Sequence, residues 1–222
     1  MASSDRYRHP DDLSQRIPVF PLAGVLLLPR ADLPLNIFEP RYLAMIDHAL
    51  GADRLIGMIQ PAADDAASDG STLMKVGCVG RITAWQETPD DRMLITLTGV
   101  SRFQIVDELD VDTPFRQVIA NYHPFAADLA SGAGSAEVNR SALLRVFRDY
   151  LDANNMSADW KEVDSAPVEV LVNTLSLLAP YPPQEKQALL EAPDLKTRAD
   201  VLVALTEVAL GKMGKGAKQR LQ

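Results

Sequence analysis

The side chains in this sequence that could act as a nucleophile and a base are one cysteine and three histidines: Cys78, His9, His48 and His123. A catalytic cysteine needs a positive neighbour or a helix N-terminus to hold it as the thiolate, and the local sequence VGCVG offers neither. Cys78 instead alternates with Val76 along an extended run, which is typical of a small buried hydrophobic residue. A Cys-dependent hydrolase, in which the fold brings His123 to Cys78, stays open as an alternative.

Metal and nucleotide chemistry have no recognisable motif in this chain. The sequence contains no HExxH, no CxxC and no carboxylate–histidine cluster with the spacing of metal ligands. The tail sequence GKMGKG lacks both the spacing of a P-loop and the strand that precedes one. We therefore predict no catalytic, cofactor-binding or metal-binding residues, no cofactor, and a protein that is not an enzyme.

The charge balance argues against a nucleic-acid partner. The 222 residues carry a formal net charge of −8, and residues 1–126 alone hold 11 Lys and Arg against 17 Asp and Glu. A protein that binds nucleic acid neutralises phosphates with a basic face, and neither half of the chain supplies one. We expect no nucleic-acid partner, although RNA binding is kept as an alternative function.

The chain carries no signature of membrane insertion or secretion. No apolar run approaches the roughly 20 residues that span a bilayer, and the N-terminus has no apolar core of a signal peptide. A single cysteine excludes an internal disulfide framework and fits a reducing compartment. We expect a cytoplasmic protein without a membrane partner.

The first elements are short strands followed by one helix. Prolines divide the early apolar residues into the runs Ile17–Phe20, Val25–Leu28 and Leu33–Phe38, each too short for a helix. Pro40 then sets the first turn of a helix whose apolar residues recur at three- and four-residue steps until Gly51.

Further strands and then helices follow. Residues 55–60 read as a strand and residues 61–72 as an exposed acidic loop. Four strand-like runs come next, with a tight reversal expected at 99–101: Met74–Glu87, Arg92–Val100, Arg102–Glu108 and Phe115–Tyr122. So many short strands at close spacing predict an antiparallel barrel or pseudo-barrel, and the amphipathic segments beyond it predict a helical bundle.

These elements give a domain plan of the α+β class. We predict a disordered leader over 1–15, a β-rich domain over 16–127 and a Gly/Ser hinge over 128–135. A helical-bundle domain follows over 136–211, and the chain ends in a basic, flexible tail over 212–222.

Several motifs resemble the LON substrate-binding domain, the N-terminal domain of Lon-type ATP-dependent proteases. They are FPL at Phe20–Leu22, LNIFEPRYL at Leu35–Leu43, VGCVGRI at Val76–Ile82, ITLTGVSRF at Ile95–Phe103 and LLEAPDLKTRADVLVAL at Leu189–Leu205. The resemblance implies a PUA-like β pseudo-barrel followed by a helical bundle. It also implies a free-standing module that binds polypeptide, without ATPase or protease domains.

The residues of the FEPRY and R-F motifs are interpreted as structural: Phe38, Glu39, Pro40, Arg41, Arg102 and Phe103. Charge-assisted bonds of Glu39 and Arg41 would fasten the helix to the sheet, with Arg102 as a candidate partner of Glu39. The rings of Phe38 and Tyr42 would fill the core. As the alternative, the rim of this motif forms part of a peptide-binding surface.

We expect the partner to be an unfolded or partner polypeptide bound at exposed apolar surface. The proline-broken runs hold more large aliphatics than a small barrel interior readily accommodates, so some should lie on the surface. The candidate peptide-binding residues are Val25, Leu27, Leu33, Leu35, Tyr42 and Trp85. The sequence leaves the oligomeric state open.

The absence of catalytic motifs predicts that the purified protein neither hydrolyses ATP nor cleaves casein. Phosphate release and gel-based digestion check both activities. Turnover that follows the protein through purification and disappears in a Cys78→Ser variant would show that the hydrolase alternative is correct.

Overall fold

The computed structural model describes residues 6–62 and 71–219, with side chains described as far as Lys212. The strands are β1 Arg16–Pro21, β2 Asp32–Ile37, β3 Leu55–Ile59, β4 Val76–Glu87, β5 Met93–Leu109 and β6 Gln117–Asn121. The helices are α1 Pro40–Leu50, α2 Arg140–Ala153, α3 Trp160–Ser165, α4 Val168–Leu178, α5 Pro183–Glu191 and α6 Leu195–Gln219. The predicted acidic loop falls mostly outside the described residues.

The six strands form one sheet that closes on itself. Their order is β2-β5-β4-β3-β1-β6, and β5 also pairs with β6. The ring of five strands therefore has no open edge, while β2 extends it along the first half of β5 only. The prediction of an α+β fold with a barrel-like sheet is confirmed.

The chain divides into two compact units, and the first one is discontinuous in sequence. It contains Met1–Ser131 together with Tyr181–Leu190, and the second contains Gly132–Pro180 and Glu191–Gln222. The structure thus differs from the predicted plan, which placed all of 136–211 in the bundle.

The segment Leu26–Leu28 crosses over β4 and β5 as irregular chain and not as the strand predicted for 25–28. All three leucines are at most 3% exposed. They fit because the strands beneath carry glycine: a Cβ on Gly99 would lie 2.0 Å from the Leu28 carbonyl oxygen, and one on Gly80 would lie 2.7 Å from Leu27 Cδ2. The two glycines thus allow the crossing segment to approach the sheet this closely.

The same close approach explains why the predicted reversal at 99–101 is wrong. β5 runs without interruption from Met93 to Leu109. Gly99 is required for the crossing segment, not for a turn, and its amide donates to the Ala31 carbonyl at 2.9 Å. Opposite it, the register shifts between Val79 and Gly80, which marks a β-bulge.

Residues 6–15 are held to the first unit, in contrast to the disordered leader predicted for 1–15, of which residues 1–5 lie outside the described residues. Tyr7 and Leu13 are 5% and 3% exposed and belong to the barrel core. Burial raises the pKa of Tyr122, so its hydroxyl stays protonated and donates to the Ser14 carbonyl at 2.9 Å. The two buried apolar side chains and this bond attach the segment to the first unit.

A buried ion pair joins β5 to the 3-10 segment His123–Leu129. The Arg102 guanidinium donates to both carboxylate oxygens of Asp128 at 2.8 Å, and the backbone amide of Arg102 donates to one of them at 2.9 Å. The side chains are 3% and 8% exposed.

Two predictions about these residues differ from the structure. Asp128 was predicted to begin a hinge, and Glu39 was predicted to pair with Arg102. Glu39 is bonded to Arg41 instead.

The segment Tyr181–Leu190 is held to the barrel by polar contacts. Arg102 Nη1 donates to the Leu190 carbonyl at 3.2 Å. The buried carboxamides of Gln60 and Gln187 hydrogen-bond each other at 3.0 Å, and Gln187 also donates to the Val76 carbonyl at 3.1 Å. These bonds satisfy buried polar groups and make α5 part of the first unit.

In the second unit, α2 and α4 pack against α6. Asp159 caps α3, which the sequence analysis missed, by accepting from the amides of Lys161 and Glu162. Arg140 fastens the end of α3 through the carbonyls of Val163 and Ala166, each at 2.8 Å. The bundle prediction is thus confirmed for these helices, and α6 continues to Gln219 beyond the predicted end at Gly211.

Removing the charge of Asp128 should destabilise the protein strongly, because it leaves the Arg102 guanidinium buried without its counter-ion. We expect Asp128→Asn to lower the free energy of unfolding by about 3–5 kcal/mol, measured by urea titration with circular dichroism. Asp90→Asn is the matched control, since the Arg92–Asp90 pair is 47% and 61% exposed and solvent screening leaves such a surface pair little effect on stability. Equal effects of the two substitutions would contradict this assignment.

Candidate functional site

The structure does not assemble the cysteine and the histidines into a catalytic pair. Cys78 is 1% exposed and its Sγ lies 3.7 Å from the Val79 carbonyl oxygen. His48 and His123 are both exposed: the first ring packs against Phe115 with centroids 5.3 Å apart, and the second has its Nε2 3.3 Å from Asp11 Oδ1. No geometry for nucleophilic attack results.

The FEPRY motif has one buried and one exposed ring. Tyr42 is 8% exposed and packs on Phe20 with ring centroids 4.1 Å apart, as expected of a core residue. Phe38 is 61% exposed, so its predicted place in the core is wrong. Glu39 and Arg41 bond each other at 3.0 Å, and the Arg41 guanidinium lies 4.6 Å above the Tyr42 ring. Phe103 is fully buried, as its structural role requires.

The six residues proposed for the peptide-binding surface fall into three groups. Leu27 and Tyr42 are buried and offer no exposed apolar surface. Val25, Leu33 and Leu35 are partly buried. Trp85 is 46% exposed. Leu27 was predicted to lie on the surface. It is buried because the glycines under the crossing segment leave room for it.

A shallow groove of about 460 Å³ lies on the sheet where β2, β5 and β4 run side by side. We call it the sheet-end groove. Two of the predicted residues, Leu35 and Trp85, are among those that line it, and no lining residue is charged. The lining residues are Pro34, Leu35, Asn36, Ala84, Trp85, Gln86, Leu94, Ile95 and Thr96.

The strand register orders these residues into rows across the sheet. Asn36 pairs with Leu94, which pairs with Gln86, and the next row on the same face is formed by Pro34, Thr96 and Ala84. Leu94 is 44% exposed. An apolar side chain therefore stands between two carboxamides, with small residues beside it.

A polar row ends the groove on one side. Thr98 Oγ1 donates to Asp32 Oδ1 at 2.6 Å and lies 2.9 Å from Thr83 Oγ1. On the other side, beyond the row of Leu94, the exposed ring of Phe38 has the Arg92 guanidinium 5.6 Å from its centroid.

Leu35 and Trp85 belong to a row on the opposite face of the sheet. Both pair with Ile95, which is 3% exposed. The Arg54 guanidinium lies 4.7 Å from the centroid of the Trp85 ring, which partly shields its exposed surface. Trp85 is thus a second exposed apolar feature, on the face opposite Leu94.

Leu94, Asn36 and Gln86 were not among the residues predicted for the peptide-binding surface. Strict alternation in MLITLT, with residues 93, 95 and 97 buried, would have placed Leu94 on the outer face. Nothing local indicated that the amides of Asn36 and Gln86 flank it, because that contact depends on the pairing register of three strands.

The described residues contain neither a metal-binding cluster nor a membrane-spanning helix. Over residues 6–62 and 71–219, no cluster of three or more His, Cys, Asp or Glu side chains could hold a metal ion. No helix within that part of the chain is both long and apolar enough to cross a membrane.

The model of the ATP-dependent protease La (LON) substrate-binding domain matches residues 16–207. The chain belongs to the LON substrate-binding domain family. The match begins at the first residue of β1 and includes the groove, and the resemblance carried by the FEPRY motif is confirmed.

Proteins similar to this LON domain include complete proteases. Lon protease 2 of Myxococcus xanthus is 25% identical over 207 residues, which cover 88% of this chain and 24% of that protein. Lon protease of Heliobacterium modesticaldum is 24% identical over 195 residues, which cover 86% and 24%. The chain thus spans about a quarter of the length of these curated relatives.

Solved structures support the same fold. The N-terminal domain of Mycobacterium avium complex Lon protease gives a TM-score of 0.64 at 18% identity and covers 86% of this chain and 98% of that one. The Lon N-terminal domain protein from Xanthomonas campestris gives 0.60 at 20% identity, covering 85% and 97%. The LON fold therefore extends over both the sheet and the helices described above.

Proposed function

We propose that this LON domain binds unfolded polypeptide in the sheet-end groove and that its 222 residues catalyse no reaction. The family is described as the substrate-binding domain of an ATP-dependent protease, and the substrates of a protease are polypeptides. A domain that only recognises its substrate needs exposed apolar surface, not a nucleophile.

The observation that carries the proposal is the uncharged, partly apolar lining of the groove. None of the nine lining residues is Asp, Glu, Lys or Arg, and Leu94 stands exposed among them. Burial of apolar surface is the main driving force available to such a site. A phosphate-bearing ligand would find no cation there, which distinguishes this groove from an RNA-binding surface.

A non-catalytic role is supported by the positions of the potential catalytic groups. The thiol of Cys78 lies in the barrel core, and His48 and His123 are exposed beside other partners. A polypeptide laid in the groove would therefore not meet the thiol.

The interaction should be weak. The groove is small, and each side chain that a flexible ligand immobilises costs roughly 0.5–1.5 kcal/mol. We expect micromolar or poorer affinity, which suits a domain that must release many different substrates.

Truncation of Leu94 tests the proposal. Burying a leucine fully contributes roughly 1.5–3 kcal/mol. Leu94 is 44% exposed in the free protein. Leu94→Ala should therefore cost roughly 1 kcal/mol, or about fivefold in the dissociation constant. The measurement is fluorescence anisotropy of labelled, dephosphorylated β-casein, an unfolded polypeptide.

Val106→Ala is the matched control, because Val106 lies in the same strand, is 65% exposed and does not line the groove. Binding of casein should change little between about 50 and 200 mM salt, whereas phosphate contacts would weaken steeply. Tight, salt-sensitive binding of a labelled RNA, with no response to casein, would refute the proposal. A loss in Trp85→Ala but not in Leu94→Ala would move the site to the opposite face.

A further inference from the structure

We infer that the sheet-end groove reads the main chain of its ligand: an extended peptide lies across the strands, and the carboxamides of Asn36 and Gln86 hydrogen-bond its backbone on either side of Leu94. This inference rests on the proposed function and adds the mode of recognition. It makes binding depend on peptide groups that every polypeptide carries.

The spacing of the two carboxamides fits an extended chain. Asn36 and Gln86 are the cross-strand partners of Leu94 on β2 and β4. Adjacent strands are roughly 4.8 Å apart, so the two residues are separated by about 9.6 Å. An extended peptide advances roughly 3.3 Å per residue, and so the groups that the two carboxamides bind belong to residues about three positions apart.

The chemistry of the two side chains suits a ligand of any sequence. A carboxamide offers both donors and an acceptor, and it can therefore bind a peptide N–H or a peptide C=O in either chain direction. Both residues are exposed, and neither side chain hydrogen-bonds another described residue. No internal bond has to break before they bind a ligand.

The alternative mode is addition of the peptide as a strand along the outer edge of β2. The Ala31 carbonyl accepts from Gly99, which places the odd-numbered residues of β2 in hydrogen bonds to β5. Asp32, Pro34 and Asn36 then direct their backbone groups to the outer edge. Proline has no N–H, so the central donor of this edge is missing, and a proline and a charge there oppose strand addition.

The experiment compares variants and ligands in the casein anisotropy assay. We expect Asn36→Ala and Gln86→Ala each to weaken binding about three- to tenfold, because each removes one hydrogen bond to the main chain. Gln104→Ala is the matched control, an exposed glutamine on β5 outside the groove. Pro34→Val, which restores the edge donor, should not strengthen binding.

Competition by two peptides adds a measurement that does not depend on any substitution and so cannot reflect a change in the structure of a variant. Both are uncharged ten-residue peptides with alternating apolar side chains, and one is N-methylated at alternate backbone nitrogens. The wild-type protein should bind the N-methylated peptide at least about tenfold more weakly.

The outcomes separate the two proposals. If Leu94→Ala weakens binding but both amide variants match Gln104→Ala and both peptides compete equally, main-chain reading is wrong and the proposed function stands. If Pro34→Val strengthens binding more than about threefold, strand addition at β2 is the mode and the inference is overturned. If casein does not bind the wild-type protein at all, both proposals fail.

Discussion

The ion pair between Arg102 and Asp128 is the contact on which the first unit depends most. A guanidinium buried to 3% exposure is tolerated only with a counter-ion and further acceptors. Here the acceptors come from distant parts of the sequence: the carboxylate of Asp128 and the carbonyl of Leu190. One side chain thereby joins a central strand, the segment after the barrel and a helix that the sequence places far downstream. The Phe125 ring, 4.6 Å from the guanidinium, covers it.

A second constraint decides where a ligand can bind. The leucines of the crossing segment are buried against β4 and β5, because Gly80 and Gly99 leave room for them. That packing occupies the face of β5 that carries Gly99, and Leu94 lies on the opposite face of the same strand. Where β2 extends the ring of strands, this face carries Leu94 between two carboxamides, and both proposals concern this place.

Local signals in the sequence identified most elements, and long-range contacts account for what was missed. The proline at 40 and the apolar period after it predicted α1 correctly, because a helix repeats within a few residues. Asp128 was taken for part of a flexible hinge, since its partner lies 26 residues away and no local pattern marks an ion pair. Gly99 was read as a turn for a similar reason. Of the predicted surface residues, Trp85 is exposed. The places of Asn36 and Gln86 beside Leu94 depend on the register of three strands, and the sequence of a single strand does not reveal that register.

The division of the first unit has a consequence for biosynthesis. A ribosome releases residues 1–131 well before Tyr181–Leu190, so the nascent barrel lacks its last segment while the intervening chain is being made. During that interval the carboxamide of Gln60 has no Gln187, and Arg102 has no Leu190 carbonyl. Water must solvate these groups until the segment Tyr181–Leu190, which contains most of α5, emerges and excludes it. The order of translation thus delays completion of the barrel until most of the second unit has already been synthesised.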